Sequence, residues 1–356
     1  MDCHLQDYLR NGGSLTNLEE VLRVKHKRHG TYPNLLLFSY SIGCSFEFPL
    51  QLESRGIILD EQDDWRVVSR SFDKFFNLGE GRATAIDWAS IVVNEKQDGS
   101  LVSVYRHNGN LQFATTGTPD ANCPIGDYQV TFAELFRQTL QELSLWPLPE
   151  MPGVTLLFEL CTPLNRVVVN SLTNKVFFLG AREAETGCWL SNDLPEFSHL
   201  PKPRIFSFRT REEVLASLEH FSGLHQEGYV VTDANYNRVK IKHPEYVQLH
   251  HSVFGTTYSS IVELALKQES SEILAHFPDL TKLLKDTEQK IISLCVTVEN
   301  TYAEIKDLTT RREFAQRAKF YKYSAVLFKM LDKKLCALEV LRLERIKTVI
   351  EYLKEN

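Results

Sequence analysis

The chain has 356 residues, of which 43% are hydrophobic and 24% are charged, and its formal net charge is −6 at pH 7. This composition is typical of globular proteins and excludes a wholly disordered, collagen-like or coiled-coil chain. The sequence has no apolar run of about 18 residues, so we expect no membrane span, and its N-terminus lacks a signal-peptide pattern. Seven scattered cysteines without a CxxC pair favour reduced thiols and an intracellular, cytoplasmic protein.

Residues 1–252 predict an α+β domain built largely from antiparallel sheet. Apolar and β-branched runs alternate with Gly, Asn and Pro, as strands and turns do. Asn108 and Gly109 suit a tight hairpin turn, because both tolerate positive φ. A second hairpin is expected across 233–237, and residues 131–143 have the apolar spacing of a helix. The predicted strands are LLLFSYSI (35–42), RGIIL (55–59), SIVVN (90–94), LVSVYR (101–106), VTLLFEL (154–160), KVFFLGA (175–181), EGYVVT (227–232) and RVKIK (238–242).

Residues 253–356 predict a smaller, all-α C-terminal domain. No Pro or Gly follows Pro278, and apolar residues such as Leu338, Leu341 and Val349 keep helical spacing. The boundary is placed to within roughly ten residues, since element ends are the hardest feature to predict.

Two basic motifs come first along the chain. Arg55 lies in ESRGII (53–58), and Lys74 lies in KFFN (74–77). Taken alone, each basic residue reads as a surface charge, and Phe75 and Phe76 read as core.

Lys96 opens the motif KQDGS (96–100) between two predicted strands. Asp98-Gly99 predicts a tight turn at which Gly99 lets a ligand approach the backbone. A lysine amine is a nucleophile when its pKa falls, and neighbouring cations or burial lower it. The simpler interpretation of Lys96 is a solvated turn residue.

Two carboxylates and a pair of lysines complete the candidate chemistry. Glu159 leaves a buried strand, and Glu227 begins the strand that precedes RVKIK. On that strand Lys240 and Lys242 should share one face, away from the core. Two ammonium groups on one face suit a bound anion such as a triphosphate; a water-facing amphipathic strand is the alternative.

The ordered set of motifs over 35–250 resembles the RNA ligase 1 family, the phage-type ATP-dependent RNA ligases of the covalent nucleotidyltransferase superfamily. The resemblance rests on ESRGIIL, KFFNLGE, KQDGSL, FELCTPLNRVVV and VKIKHPEYVQLH. It implies a nucleotidyltransferase domain over 1–252 and an all-α module over 253–356. It also implies the joining of 5′-phosphate and 3′-hydroxyl RNA ends through lysyl-AMP and RNA-adenylate, as in tRNA repair.

Carried over residue by residue, the resemblance makes Lys96 the nucleophile, with Lys240 and Lys242 assisting at the α-phosphate and leaving group. ATP and Mg²⁺ or Mn²⁺ are the implied cofactors, with Glu227 and Glu272 at the metal. The implied ATP-binding residues are Tyr40, Arg55, Lys74, Lys96, Glu159, Glu227, Lys240, Lys242 and Tyr246.

Two positions separate this chain from related patterns. Leu101 stands where DNA ligases and capping enzymes carry arginine, which favours the RNA ligase pattern. Thr115 and Thr116 stand where the RNA ligase 1 family tends to carry a lysine. The alternatives are a DNA ligase, a capping guanylyltransferase, or a non-catalytic RNA-binding relative.

RNA binding is expected in residues 311–334, which hold eight Lys and Arg against two acids, interleaved with aromatic residues. An amphipathic helix with solvated lysines is the alternative, and it is favoured for Phe314, Tyr321 and Phe328. No GxxxxGK[ST] kinase motif occurs, so a separate kinase–phosphatase is expected to prepare the RNA ends. A cleaved tRNA is one expected substrate. The candidate RNA contacts are Arg311, Arg312, Lys319 and Lys322.

Overall fold

The computed structural model describes residues 3–125, 129–165, 168–169, 171–247, 258–267, 281–308 and 310–354. The chain divides into two compact units, Met1–Leu249 and His250–Asn356. Within the described residues, no helix has both the length and the apolar character that crossing a membrane needs.

The described residues of the first unit form three four-stranded antiparallel sheets, which confirms the predicted sheet class. Their strand orders are β1-β2-β3-β4, β10-β5-β11-β12 (the site sheet) and β7-β6-β8-β9 (the core sheet). The strands are β1 Val24–Arg28, β2 Leu35–Tyr40, β3 Arg55–Asp60, β4 Arg66–Ser69, β5 Val92–Lys96, β6 Ser100–His107, β7 Asn110–Ala114, β8 Val154–Cys161, β9 Lys175–Glu183, β10 Ile205–Phe206, β11 Gly228–Thr232 and β12 Arg238–Lys242.

Both predicted hairpins form. Strands β6 and β7 pair through Asn108 and Gly109, whose φ angles are 49° and 76°. Strands β11 and β12 pair in register, with Val230 opposite Lys240. Because side chains alternate along a strand, Val239 and Ile241 enter the core while the lysines of β12 face the other way, as predicted.

The helices of the first unit cover the sheets at a few points. The predicted helix over 131–143 is confirmed as α4, and its start is explained by a capping box. Thr131 accepts a hydrogen bond from the Glu134 backbone, and the Glu134 carboxylate accepts one from the Thr131 backbone. These helices are α1 His4–Arg10, α2 Leu15–Glu20, α3 Pro49–Glu53, α4 Phe132–Glu142 and α5 Arg211–Ser217.

The described residues of the second unit form helices and the turns between them, without strands, which confirms the all-α prediction for these residues. Its buried apolar side chains include Ile291, Val298, Val326 and Leu341. The helices are α6 Tyr258–Lys267, α7 Thr281–Ile305, α8 Arg311–Ala318, α9 Ser324–Lys333, α10 Ala337–Leu343 and α11 Ile346–Leu353.

The segment 74–78 joins the first sheet to the site sheet. It follows β4 and runs parallel to the middle of β12, where Asn77 bridges Lys240. The Lys240 amide donates to the Phe76 carbonyl at 3.0 Å, and the Leu78 amide donates to the Lys240 carbonyl at 2.8 Å. Two motifs more than 160 residues apart in sequence thus become neighbours.

Candidate active site

Three strands of the site sheet place two lysines on either side of one glycine. Lys96, the last residue of β5, pairs with Gly228 of β11, and Gly228 also pairs with Lys242 of β12. A side chain at Gly228 would place its Cβ 2.1 Å from the Ile241 carbonyl oxygen, so only glycine fits between the two outer strands. The sheet register therefore fixes both lysines beside the residue that precedes Gly228, Glu227.

Glu227 forms ion pairs with both lysines. Its Oε2 accepts from Lys96 Nζ at 2.7 Å, and its Oε1 lies 2.9 Å from Lys242 Nζ. The Glu227 side chain is only 2% exposed, so water screens neither ion pair strongly. The arrangement excludes the simpler interpretation of Lys96 as a solvated turn lysine.

The pKa of Lys96 is raised overall, although the neighbouring cation Lys242 lowers it as expected. Burial favours the neutral amine, and so does Lys242, but the negative charges of Glu227 and Glu159 outweigh both. The sequence showed the cations of this site, whereas the burial of the acid between them depends on sheet register.

Glu159 reaches the same site from the core sheet. It lies on β8 opposite Leu101 of β6, and the turn at 97–99 connects β6 to Lys96 on β5. The pKa of Glu159 is raised from 4.5 to about 7, chiefly by burial, with Lys96 opposing the shift and Glu227 adding to it. A carboxyl group with this pKa can either donate or accept a hydrogen bond near neutral pH.

The turn after Lys96 is fixed by Asp98, which the sequence analysis did not assign to the site. Its Oδ1 accepts from the Tyr246 hydroxyl at 2.9 Å, and its Oδ2 accepts from the amides of Val168 and Val169 at 2.9 and 2.7 Å. Asp98 thus links the turn that follows Lys96 to residues 168–169 and to Tyr246. The Asp-Gly sequence predicts a turn, but it does not predict these long-range hydrogen-bond partners.

Gly99 allows close packing of the protein backbone at this turn. A Cβ at this position would lie 2.4 Å from the Leu160 carbonyl oxygen and 2.7 Å from Cys161 Sγ. The turn therefore packs directly on β8, which carries Glu159 one residue away from that carbonyl.

Arg55 and Lys240 lie beside one aromatic ring, that of Phe75. The Arg55 guanidinium carbon is 5.6 Å from the ring centroid, and Lys240 Nζ is 5.5 Å from it. The Nη1 atom of Arg55 is buried and has no hydrogen-bond partner among the described residues. An unsatisfied buried cationic donor is what an anion-binding pocket offers. Phe75 was predicted to be core, but it is half-buried and contacts both cations.

Lys74 lies among three aromatic rings, so the simpler interpretation of a surface charge is wrong here too. Its Nζ is 5.4, 5.6 and 5.5 Å from the ring centroids of Tyr40, Phe46 and Phe76. Cation–π contacts of this kind hold an ammonium group in place without neutralising it. Phe46 is absent from the predicted site, because only tertiary packing brings it to Lys74.

Gly56, next to Arg55, packs against Thr115 and Thr116, which stand where the RNA ligase 1 family tends to carry a lysine. Gly56 has φ +87°, and a Cβ there would lie 3.0 Å from Thr116 Cα. Thr115 forms a local turn, with its hydroxyl 2.8 Å from that of Thr118. The Thr115 hydroxyl is thus used within this local turn.

The described residues contain no ready-made metal site. No group of three or more His, Cys, Asp or Glu side chains among them is arranged to hold a metal ion. Both oxygens of Glu227 already contact ammonium groups. The other predicted metal residue, Glu272, lies outside the described residues.

The predicted RNA contacts of the second unit are exposed, at the start of α8 and in the turn between α8 and α9. Arg311 forms an ion pair with Asp332, and Lys322 Nζ donates to the Lys354 carbonyl. Lys319 lies 5.0 Å from the ring of Phe320, which is 77% exposed. Arg312 is exposed as well. Phe314 is buried, as predicted, and packs edge-on against Phe328.

A family model for RNA ligases matches residues 53–246, which include most of this site and more than half of the chain. The chain belongs to the RNA ligase family. The predicted resemblance to the RNA ligase family is confirmed.

Several relatives share this similarity. RNA ligase of Rhodothermus phage RM378 is 26% identical over 381 residues, covering 84% of this chain and 85% of its own. RNA ligase 1 of Bacteriophage TS2126 is 30% identical over 249 residues, covering 62% and 59%. A protein of Autographa californica nuclear polyhedrosis virus, named as a bifunctional polynucleotide kinase/RNA ligase, is 29% identical over 310 residues. The match covers 79% of this chain but 43% of the viral protein.

A solved structure supports the fold. An archaeal ATP-dependent RNA ligase superposes with a TM-score of 0.52 at 15% identity, covering 88% of each chain. This agreement confirms the nucleotidyltransferase type of fold.

Proposed function

We propose that this protein is an ATP-dependent RNA ligase that joins a 5′-phosphate RNA end to a 3′-hydroxyl end. The observation that supports this most is the buried cluster in which Lys96 and Lys242 share the Glu227 carboxylate, beside Lys240 and Arg55. Nucleotidyl transfer depends mainly on positioning and charge neutralisation, which such a cluster supplies.

In the first step, the Lys96 amine attacks the α-phosphorus of ATP. A nitrogen–phosphorus bond forms and the bond to the leaving pyrophosphate breaks. The Lys96 ammonium group releases one proton before attack and a second as the new bond forms, both to the solvent, and the nitrogen keeps the third. Lys240 and Lys242 face the α-phosphate and the leaving group. Arg55, with its unsatisfied Nη1, and Lys74 hold the terminal phosphates.

The ion pair with Glu227 must weaken before Lys96 reacts, because only a neutral amine is nucleophilic. Burial and Lys242 both favour the neutral form, so loss of the Glu227 interaction lowers the pKa of Lys96. Nucleotide entry between the two lysines is the event we propose for this change. Glu159, whose pKa lies near neutrality, hydrogen-bonds the ribose, and Tyr40 and Tyr246 complete the nucleotide site.

A divalent cation, Mg²⁺ or Mn²⁺, would neutralise phosphate charge in this reaction. Since the described side chains form no metal site of their own, we expect it to enter with the nucleotide phosphates and to meet Glu227 there.

Two further steps complete sealing. The adenylate passes from Lys96 to the RNA 5′-phosphate, forming RNA-adenylate and freeing the amine. The 3′-hydroxyl then attacks the 5′-phosphorus, forming a phosphodiester bond and releasing AMP. Arg311, Arg312, Lys319 and Lys322 follow the RNA backbone in this proposal.

RNA repair, with a cleaved tRNA as one substrate, is the role we propose, in the cytoplasm. The name of the viral relative joins kinase and ligase activities. A separate kinase–phosphatase therefore fits as the partner that prepares RNA ends for this chain.

The test is to incubate the protein with ATP labelled at the α-phosphate and to map the adenylylated residue by mass spectrometry. We expect label on Lys96, none in Lys96→Ala, and sealing of pre-adenylylated RNA by that variant. Sealing of 5′-phosphate RNA by Lys96→Ala at the wild-type rate contradicts the proposal. Labelling by GTP alone favours a capping guanylyltransferase, and no labelling with either nucleotide favours a non-catalytic RNA-binding protein.

A further inference from the structure

The charged face of β12 extends beyond the two site lysines. Arg238 begins the strand, and because side chains alternate, it shares a face with Lys240 and Lys242. A strand rises about 3.3 Å per residue, which puts Arg238 roughly 13 Å along the strand from Lys242. The strand thus carries a cationic row that leads away from the proposed nucleotide site.

At the end of this row, Arg238 lies among three aromatic side chains. We name the four residues the stacking cluster: Phe72, Trp189, Tyr236 and Arg238. The guanidinium carbon lies 4.0, 5.0 and 5.6 Å from the ring centroids of Trp189, Phe72 and Tyr236. Trp189 stacks on Phe72 at 4.9 Å and is nearly parallel to Tyr236, at 18°.

The electrostatics of the stacking cluster favour an anion. The neighbouring Arg182 is matched by Asp73, with hydrogen bonds of 3.0 and 3.1 Å. Among the described residues, Arg238 has no carboxylate within ion-pair distance, and its guanidinium donates to the Tyr236 carbonyl. Burial and the positive charge of Arg182 lower the pKa of Arg238, and the negative charges of Asp73 and Asp233 only partly oppose this shift. A phosphate oxygen at this point would offset both unfavourable effects.

Tyr236 is displayed in a strained conformation. Its φ is +61°, which is costly for a bulky residue, and its side chain is 41% exposed. The Asp233 carboxylate holds the turn by accepting from the Asn235 and Asn237 amides at 2.9 and 3.0 Å. An aromatic ring held in the solvent at the cost of backbone strain indicates a binding function.

We infer that the stacking cluster binds the RNA strand next to its reacting end, with a base on Tyr236 and a phosphate at Arg238. Stacking on aromatic rings combined with a cationic track is how proteins hold single-stranded nucleic acid. The inference rests on the proposed function, since Lys240 and Lys242 link the cluster to Lys96. The competing explanation is that the cluster only packs the protein interior.

Two substitutions of Tyr236 separate these explanations. Tyr236→Phe keeps the ring, and Tyr236→Gly removes the ring while relieving the strain, because glycine accepts positive φ. We expect the glycine variant to melt at or above the wild-type temperature, so folding is not the cause of any loss.

The measurement is the Kd for a fluorescent single-stranded RNA with a 5′-phosphate, beside adenylylation of Lys96 by ATP alone. We expect Tyr236→Gly to weaken RNA binding about 5- to 100-fold, the range of one lost stacking contact, with unchanged adenylylation. Tyr236→Phe should bind RNA as the wild type does. Wild-type RNA affinity of Tyr236→Gly, or equal loss of RNA binding and adenylylation, overturns the inference.

The phosphate contact is tested with Arg238→Gln, once its melting curve confirms folding. The dependence of log K on log salt should become shallower by about 0.7, the contribution of one single-strand phosphate. An unchanged slope overturns this part of the inference. Failure of the proposed function is distinguishable, because the wild-type protein would then bind RNA without adenylylating Lys96.

Discussion

Lys96 Nζ donates a hydrogen bond to Glu227 Oε2 at 2.7 Å across two neighbouring strands of the site sheet. The contact holds the proposed nucleophile as an ammonium ion, which is the unreactive form. The same carboxylate contacts Lys242 through its other oxygen. The charge state of the amine therefore depends chiefly on this buried acid, with Glu159 adding to its effect.

Replacing Glu227 with glutamine should make the Lys96 amine titrate at lower pH. The amide keeps the size of the side chain but removes the negative charge that raises the pKa of Lys96, leaving burial and Lys242 to lower it. In a plot of adenylylation rate against pH, we expect the rising limb to move to lower pH, whether or not the maximal rate changes. A rate profile measured from pH 5 to 10 checks this, and an unmoved or alkaline-shifted limb contradicts it.

Glu159 should make the protein less stable as pH rises from about 4.5 to about 7. Its folded pKa is raised from 4.5 to about 7, so the folded state binds the proton more tightly over that window. The stabilisation is present below the unfolded pKa and is lost as pH passes the folded pKa. Glu159→Gln should remove this part of the pH dependence.

Melting temperatures at pH 5 and pH 8 provide the measurement for Glu159. The difference between the two should be smaller in Glu159→Gln than in the wild type. The matched control is Glu185→Gln, an exposed position at which the wild-type difference should persist. Identical pH dependence in the wild type and Glu159→Gln would show that this carboxyl does not titrate as described.

Gly99→Ala should destabilise the first unit by about 1–3 kcal/mol, the usual cost of overpacking. The added methyl group meets the Leu160 carbonyl oxygen at 2.4 Å, so either the Lys96 turn or β8 must shift. Gly81→Ala is the control, because nothing lies within 4 Å of a Cβ there. Urea unfolding monitored by fluorescence measures both variants, and equal midpoints for the two would refute the packing role.

Arg55→Lys should weaken nucleotide binding about tenfold while the fold persists. Lysine keeps the charge but loses the planar set of donors, including the unsatisfied Nη1 atom. The check is the rise in melting temperature on adding ATP, which reports binding to the folded state. Arg10→Lys, at a surface ion pair with Asp64, should keep the full rise. Full stabilisation of Arg55→Lys by ATP would exclude a phosphate contact at this position.

Local sequence patterns predicted the elements that carry the site. The apolar alternation of RVKIK predicted which residues of β12 face the core, and the Asn-Gly pair predicted the β6–β7 hairpin. Both signals are short-range, since strand alternation and turn geometry are set by adjacent residues. The run KHKRH (25–29), in contrast, has a polar composition that does not predict a strand, yet its first four residues belong to β1, paired with β2. Pairing with an apolar neighbour overrode its polar composition.

The sequence by itself determined the motif order, the candidate nucleophile Lys96 and the change from sheet to helix after residue 250. Only tertiary structure decided that Glu227 lies between Lys96 and Lys242, that Phe75 separates Arg55 from Lys240, and that Asp98 holds Tyr246. The reason is physical: residue types and spacing fix local conformation, whereas the pKa of a buried group depends on charges brought near it by strand pairing across the fold.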